Sequence, residues 1–282
     1  MGLKARVCLR LNPEVAASTH THTATARRTD KFGLLPEALP EARALVARYP
    51  MLDWRGFSCH IGSQIEGMDE LAKSYRVMVD LFERERLTQP QFDRLDLGGG
   101  FGVSYQGALQ AYAQPDAFAA CIQARTAHLQ RQGITIQLEP GRFVVASAGV
   151  LVATVLYVKH SGGQRFVVLD AAMNNLIRPA LYNAYHPIAP AIPLDGDMLP
   201  AQVVGPICES ADVFGTGYML PAHLASGHRL AIGFAGAYGM SMSSMYNARP
   251  HLAEVLYEGT KHRLIRRAFT AEELDALTVV IE

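Results

Sequence analysis

The first half of the chain alternates between short apolar runs with strand character and longer segments with helical spacing. Strand-like alternation occurs in four runs, at 6–13, 54–61, 94–97 and 134–138. Apolar residues recur every three or four positions in three longer segments, at 36–49, 71–84 and 117–132. This alternation predicts a parallel α/β array, in which functional loops follow the carboxyl ends of the strands.

The pattern changes at about Val144, beyond which β-rich runs follow one another between Gly, Pro and Asp. These runs lie at 149–158, 165–171, 201–207, 228–235, 253–259 and 262–269. We expect a mainly antiparallel β domain at 147–282, after a first domain at 1–146. A closed (β/α)8 barrel takes roughly 250 residues, so the first domain is expected to be the carboxyl-terminal portion of such a barrel.

Composition excludes several classes of protein. Apolar residues make up 49% of the 282 residues and charged residues 18%, which argues against disorder. Lys and Arg together equal Asp and Glu at 26 each, so we expect neither a nucleic-acid nor a membrane-surface binder. The four cysteines are widely spaced, which favours the reducing cytoplasm. No metal site is expected, since His20, His22 and His186 have no carboxylate at ligand spacing.

Polar and glycine-rich motifs follow three of the predicted strands. His60 could stack on a planar ring, and Ser63 could donate a hydrogen bond to an anion. Alternatively, His60 could be an ordinary buried histidine. Gly98, Gly99 and Gly100 offer successive backbone amides that can hold a phosphate, although a plain tight turn explains them equally well. The tetrapeptide 139–142 places a carboxylate and a guanidinium around Pro-Gly, which is also a common turn.

The β half contains three further candidate motifs. Arg178 and Tyr182 lie four residues apart and form one candidate pair, although Arg178 could also be an ordinary surface arginine. Cys208 and Glu209 pair a thiol with a carboxylate, and Tyr238 lies between small residues in Gly-Ala-Tyr-Gly. Each motif alone has a structural explanation, such as a small buried cysteine or an aromatic ring in a turn.

Taken in order, these motifs resemble those of the diaminopimelate decarboxylase family. The similar segments are His-Ile-Gly-Ser-Gln at 60–64, Asp-Leu-Gly-Gly-Gly-Phe-Gly at 96–102, Glu-Pro-Gly-Arg at 139–142, Cys-Glu-Ser-Ala-Asp at 208–212, Gly-Ala-Tyr-Gly at 236–239 and Tyr-Asn-Ala-Arg-Pro at 246–250. The resemblance implies a pyridoxal-phosphate enzyme of the alanine-racemase-like fold. It also implies decarboxylation of meso-2,6-diaminopimelate to L-lysine and a homodimer that shares its active sites across the interface.

The resemblance assigns a role to each candidate residue. It implies that His60 stacks on the cofactor ring and that Glu139 pairs with the pyridinium nitrogen. The cofactor-binding residues would be His60, Ser63, Gly98, Gly99, Gly100, Glu139, Gly141, Arg142 and Tyr238. The substrate-binding residues would be Arg142, Arg178, Tyr182, Glu209 and Tyr238. Cys208 would be the general acid, and His60 is grouped with it as catalytic.

One feature departs from the family pattern. The lysine that forms the family's Schiff base lies on an early barrel strand, and Lys4, Lys31, Lys73, Lys159 and Lys261 do not match its motif. We therefore expect this chain alone to be inactive. Two alternatives stay open: a related decarboxylase of other diamino acids or polyamine precursors, and a non-catalytic partner of a full-length relative.

Overall fold

The computed structural model describes residues 2–15, 28–65, 67–106 and 115–278. The chain forms two compact units, residues 1–144 and residues 145–282. The predicted fold class, an α/β region followed by a mainly antiparallel β region, is confirmed.

The first unit contains a four-stranded parallel sheet in the order β1-β2-β3-β4. Its strands are β1 (Ala5–Leu11), β2 (Leu52–Cys59), β3 (Arg94–Gly99) and β4 (Thr135–Glu139). The helices between them are α1 (Leu39–Ala47), α2 (Met68–Arg86) and α3 (Pro115–Arg131), and a single 3-10 turn, Pro36–Ala38, leads into α1. Sequence-adjacent strands are neighbours in the sheet, so the carboxyl ends of β2, β3 and β4 lie side by side.

The core of the first unit lies between the sheet and its helices. Helix α2 buries one face, formed by Leu71, Ser74, Tyr75, Met78, Val79, Leu81, Phe82 and Glu85. Four aromatic rings pack edge-to-face or tilted beneath the sheet, those of Trp54, Phe57, Phe82 and Phe92. Buried aromatic rings of this kind contribute much of the hydrophobic stabilisation of a small core, because each removes a large apolar area from water.

The second unit contains a six-stranded sheet in the order β7-β10-β5-β6-β8-β9. Its strands are β5 (Leu151–Ser161), β6 (Gln164–Leu169), β7 (Ile188–Pro190), β8 (Met198–Val204), β9 (Val213–Pro221) and β10 (Arg229–Ile232). All neighbours pair antiparallel except β6 and β8. A separate hairpin joins β11 (Glu254–Glu258) to β12 (Lys261–Arg266).

Short helices complete the chain: α4 (Gly141–Val145), α5 (Arg178–Tyr182) and α6 (Ala271–Asp275). Helix α6 begins with a capping box between Thr270 and Glu273, which satisfies two amides of its first turn. Single 3-10 turns occur at Ala146–Ala148, Met240–Met242 and Tyr246–Ala248.

The strand pattern of the sequence missed β9 and the short β7. Strand β9 carries Gly215 and Gly217, which interrupt the apolar alternation that identifies a strand. Gly215 is required by packing, since a Cβ there would lie 2.7 Å from the ring of Tyr218. The strand is therefore held by its pairing with β8 and by the buried Tyr218, neither of which is visible in local periodicity.

Candidate active site

The carboxyl ends of β2, β3 and β4 bring three predicted site residues together. The N–H group of Gly99 donates a hydrogen bond to Nδ1 of His60, at 3.3 Å. In the sheet, Gly99 is the register partner of Glu139. His60, the glycine segment and Glu139 therefore lie together at one edge of the sheet, the edge formed by the carboxyl ends of its strands. The three are far apart in the sequence.

Close approach of neighbouring backbones explains the three glycines at this edge. A Cβ at Gly98 would lie 2.1 Å from the carbonyl oxygen of Cys59, and a Cβ at Gly99 would lie 1.9 Å from that of Glu139. At Gly100, the Cβ would lie 2.1 Å from the carbonyl oxygen of Gly62. Gly98 and Gly100 also have positive φ angles of 72° and 88°, which other residues adopt only with strain.

Two of the three glycine amides bind acceptors within the protein. The N–H group of Gly98 donates to Oδ1 of Asp96 at 2.8 Å, and that of Gly99 donates to His60. The function that is evident in the structure is thus close strand packing. The predicted role of Gly98, Gly99 and Gly100 in binding a phosphate stays a prediction.

The environment of His60 favours its neutral form. Burial lowers the pKa of the imidazole below its ordinary value of 6.5, and the nearby Arg10 guanidinium lowers it further. Arg10 also donates from Nη2 to the backbone oxygen of His60 at 3.1 Å, which fixes the end of β2. Because Nδ1 accepts the amide proton of Gly99, the neutral ring has its own proton on Nε2.

Ser63 and Arg142 meet at the same edge. The guanidinium donates to the hydroxyl oxygen of Ser63 from Nη2 at 3.0 Å and from Nε at 3.3 Å. Its Nη1 donates to the hydroxyl of Tyr105 at 2.8 Å. Gly141, the first residue of α4, has open space around the position of a Cβ.

Gln64 and Tyr105 also belong to this arrangement, although neither residue was predicted to have a role. The side-chain amide of Gln64 donates to the carbonyl oxygen of Val103 at 2.6 Å and accepts from its N–H at 3.1 Å. Gln64 has a φ of 61°, so the strained residue is held by two hydrogen bonds. The positive φ of Gln64 could not be inferred from the motif at 60–64. Tyr105 lies outside the glycine-rich motif at 96–102, so no motif identified it.

Glu139 ends the edge strand β4 and is exposed. Its charge raises the pKa of the neighbouring Asp96, although burial is the larger cause of that shift and the Gly98 amide opposes it. Two carboxylates thus face the same strand ends, one half-buried and hydrogen-bonded and the other open to a ligand.

In the second unit, Arg178 is a buried residue at the start of α5. Arg178 is 6% exposed, and its Nη1 lies 2.7 Å from Nε2 of His186. The alternative of a surface arginine is therefore excluded for this position. Tyr182, the last residue of α5, is partly exposed.

Cys208 and Glu209 lie on the loop between β8 and β9. Cys208 is exposed, and Oε1 of Glu209 accepts hydrogen bonds from Ala211 and Ser210 of the same loop. The base of the loop is held by the buried carboxylate of Asp212, which accepts the N–H groups of Ile207 at 2.8 Å and Met173 at 2.6 Å. The predicted general acid is thus accessible on a loop with a firm base.

Tyr238 lies in the Gly-Ala-Tyr-Gly loop after β10, with a φ of 63° and an exposed side chain. A non-glycine residue in the left-handed region is uncommon, and such residues occur in turns and at functional sites. Its neighbour Gly236 packs so closely that a Cβ would lie 2.0 Å from the carbonyl oxygen of Val145.

The described residues contain no group of three or more His, Cys, Asp and Glu side chains placed to hold a metal ion. His20 and His22 lie outside these residues. Within the same ranges, no helix has both the length and the apolar character needed to cross a membrane.

The chain belongs to the family of pyridoxal-dependent decarboxylases. Residues 2–146 match the pyridoxal-binding domain of this family, and residues 142–236 match its C-terminal sheet domain. The predicted family resemblance is confirmed by these matches, and pyridoxal phosphate is the cofactor of the family.

Individual relatives are diaminopimelate decarboxylases. The chain is 38% identical over 282 residues to the Vibrio cholerae protein of that name, covering all of this chain and 66% of the relative. It is 41% identical to the Neisseria meningitidis protein, covering 97% of this chain and 66% of that relative. The chain therefore spans just under two thirds of the length of these relatives.

A solved structure gives the same match in three dimensions. The diaminopimelate decarboxylase of Helicobacter pylori complexed with L-lysine is 36% identical, with a TM-score of 0.87. The match covers 98% of this chain and 67% of that structure.

Proposed function

We propose that this chain forms part of a decarboxylase that converts meso-2,6-diaminopimelate to L-lysine with pyridoxal phosphate. The observation that carries the proposal is the meeting of His60, Gly99 and Glu139 at one sheet edge. Relatives at 38–41% identity that are named diaminopimelate decarboxylases support this choice of substrate.

The first unit offers groups that fit the cofactor. The neutral His60 ring suits stacking on a pyridine, since it adds no positive charge to the ring. The exposed Glu139 carboxylate suits a protonated pyridine nitrogen, and Ser63 with Arg142 suits an anion. Gly141 leaves room beside Arg142, because no atom beyond its chain neighbours and its own helix backbone lies within 4 Å of its Cβ position.

When bound, pyridoxal phosphate supplies an electron sink for the charge left by loss of carbon dioxide. Glu139 keeps the ring nitrogen protonated, because a nearby carboxylate favours the cationic form. His60 covers one face of the ring and excludes water from it. Arg142 binds negative charge while Ser63 and Tyr105 fix the plane of its guanidinium.

The second unit offers groups that fit the substrate. Arg178 binds a substrate carboxylate, and Tyr182 adds a hydroxyl from the same short helix. Glu209 binds the distal ammonium group, and the Cys208 thiol donates the proton that replaces carbon dioxide. Tyr238, which is exposed on its loop, adds a further hydroxyl.

We further propose a homodimer located in the cytoplasm. Exposure of Cys208 supports the dimer, because a general acid on an accessible loop can act in a partner's site. The described cysteines are all free thiols, which supports a reducing compartment.

The test is an assay of carbon dioxide release with added pyridoxal phosphate, by this chain alone and by this chain joined to the segment of a family member that carries the Schiff-base lysine. We expect no turnover by the chain alone. The joined protein should turn over meso-diaminopimelate but not L-ornithine or L-lysine, the substrates of the sister enzymes. Cys208→Ala should lower kcat by about 10²–10⁴-fold, as expected for loss of a general acid. Cys121→Ala, on the helix α3, is the matched control and should keep full activity.

Preferential turnover of ornithine would favour the related decarboxylase. Absence of turnover by the joined protein, together with tight binding of this chain to an active relative, would favour the non-catalytic partner. Either result would contradict the proposed function.

A further inference from the structure

His186 is fully buried in the second unit and lies directly against Arg178. Its Nε2 is 2.7 Å from Nη1 of Arg178, and its Nδ1 is 2.9 Å from the carbonyl oxygen of Gly233. The two partners come from different elements, since Arg178 begins α5 and Gly233 follows β10. His186 thus connects the short helix to the central sheet.

The two contacts determine the protonation state of the ring. A guanidinium can only donate, so Nε2 of His186 must accept the Arg178 hydrogen bond. A carbonyl oxygen can only accept, so Nδ1 must carry the proton that it donates to Gly233. The imidazole is therefore neutral, with its single proton on Nδ1.

The backbone of His186 is also fixed. Its carbonyl oxygen accepts the hydroxyl proton of Tyr218, on β9, at 2.6 Å. The Tyr218 ring is stacked on that of Tyr185, with centroids 5.7 Å apart. The N–H group of Gly233 in turn donates to the carbonyl oxygen of Pro187 at 2.9 Å. The imidazole is held from both sides and cannot turn without breaking these bonds.

We propose that His186 is a positioning residue, which holds the Arg178 guanidinium in the orientation that binds a substrate carboxylate. The inference rests on the proposed function, in which Arg178 makes that contact. A guanidinium is planar, with five donors in fixed directions, so fixing one N–H group fixes the plane of the others. A rigid fork binds a carboxylate with two parallel hydrogen bonds, whereas a mobile one must first be ordered.

Charge explains why a neutral histidine suits this position. Protonation of Nε2 would remove the acceptor of Arg178 and place two positive charges side by side in a buried site. The groups in contact with His186 include the Arg178 guanidinium and the Gly233 carbonyl at the ring, and the Tyr218 hydroxyl at the backbone carbonyl. Substrate affinity should therefore persist at mildly acid pH, down to the point at which His186 is forced to accept a proton.

The first experiment is nuclear magnetic resonance of the protein with ¹⁵N-labelled histidine, with neither cofactor nor substrate added. We expect His186 to show a neutral ring with its proton on Nδ1 from pH 8 down to about pH 5, below the ordinary titration of histidine near 6.5. In Arg178→Met the same ring should become protonated at a higher pH than in the unmodified protein. A proton on Nε2, or an imidazolium at pH 6.5 in the unmodified protein, would overturn the inference.

The second experiment measures binding of L-lysine and meso-diaminopimelate by calorimetry in the presence of pyridoxal phosphate. His186→Leu should weaken binding about tenfold or more. In the chain joined to the segment with the Schiff-base lysine, it should raise KM more than it lowers kcat. His186→Gln, whose amide oxygen can accept from Arg178, should restore affinity to within about threefold. His160→Leu, at an exposed histidine of β5, is the matched control and should bind normally.

Equal affinity of His186→Leu and the unmodified protein would overturn the inference and leave the proposed function intact. Failure of the unmodified protein to bind either ligand would instead contradict the proposed function, and with it the role of His186 toward substrate. If His186→Leu does not fold, the conclusion depends on His186→Gln. Weaker ligand binding by His186→Gln, with an unchanged nuclear magnetic resonance spectrum, would count against the inference.

Discussion

The two units position their candidate residues by different physical means. In the first unit, His60, Gly99 and Glu139 are fixed by strand ends so close that glycine alone fits between them. In the second unit, Arg178 and Cys208 lie outside the sheet, on a one-turn helix and a loop, and buried polar groups hold these segments. The difference indicates that backbone packing positions the candidate residues of the first unit, and side-chain hydrogen bonds those of the second.

Gly99→Ala should have the largest effect, because its Cβ would lie 1.9 Å from a backbone carbonyl of the adjacent strand. Backbone at a strand end cannot move aside without separating β3 from β4. We expect a loss of about 3 kcal/mol or more in the free energy of unfolding, measured by denaturant titration. Gly141→Ala, where space is open, should change stability by less than about 1 kcal/mol. Similar small changes in both variants would contradict the packing account.

Asp212→Ala tests the corresponding claim for the second unit. The substitution leaves the buried N–H group of Ile207 and the partly buried N–H group of Met173 without their acceptor. We expect a loss of about 2–3 kcal/mol in thermal or chemical unfolding. Glu209→Ala, on the exposed part of the same loop, should cost less than about 0.5 kcal/mol. Equal losses would show that the loop does not depend on its buried carboxylate.

Gln64→Ala tests how much one side chain contributes to the stability of the first unit. It removes both hydrogen bonds to the Val103 backbone, so the segments that carry Ser63 and Tyr105 should loosen. We expect a loss of about 1–2 kcal/mol and faster hydrogen exchange at Val103. Gln91→Ala, on an exposed turn, provides a control with little expected change. Unchanged exchange would mean that strand packing alone holds this loop.

The smallest effect is the pH dependence that His60 contributes. Its pKa is below 6.5 in the folded protein because of burial and Arg10, so the unfolded chain binds the proton more readily. The stabilising contribution is therefore complete above pH 6.5 and is lost as the pH falls from there to the lower folded pKa. His60→Gln should make unfolding less pH-dependent in that window, as measured by melting at a series of pH values. An unaltered pH profile would contradict the burial of this imidazole.

Local sequence determined much of the first unit and of the family relationship. Each of the four strands and three helices was predictable, since amphipathic periodicity reports which face of an element is buried. The motifs around His60, Gly98 and Glu139 resemble those of the family, and the family match confirms this resemblance. Because each motif follows a strand of a parallel sheet, their proximity could also be expected.

Only the tertiary structure decided which residues hold the site together. The hydrogen bonds from Gly98 to Asp96 and from Gly99 to His60 could not be inferred from the motifs, and phosphate binding by these glycines stays a prediction. Strand β9, the Gln64 bonds to Val103 and the contact of His186 with Arg178 were also absent from the sequence pattern. Each depends on groups that are distant in sequence or on a positive φ. Hydrophobic periodicity records which positions of one helix or strand are buried. It contains no information about which residues of other elements those positions contact.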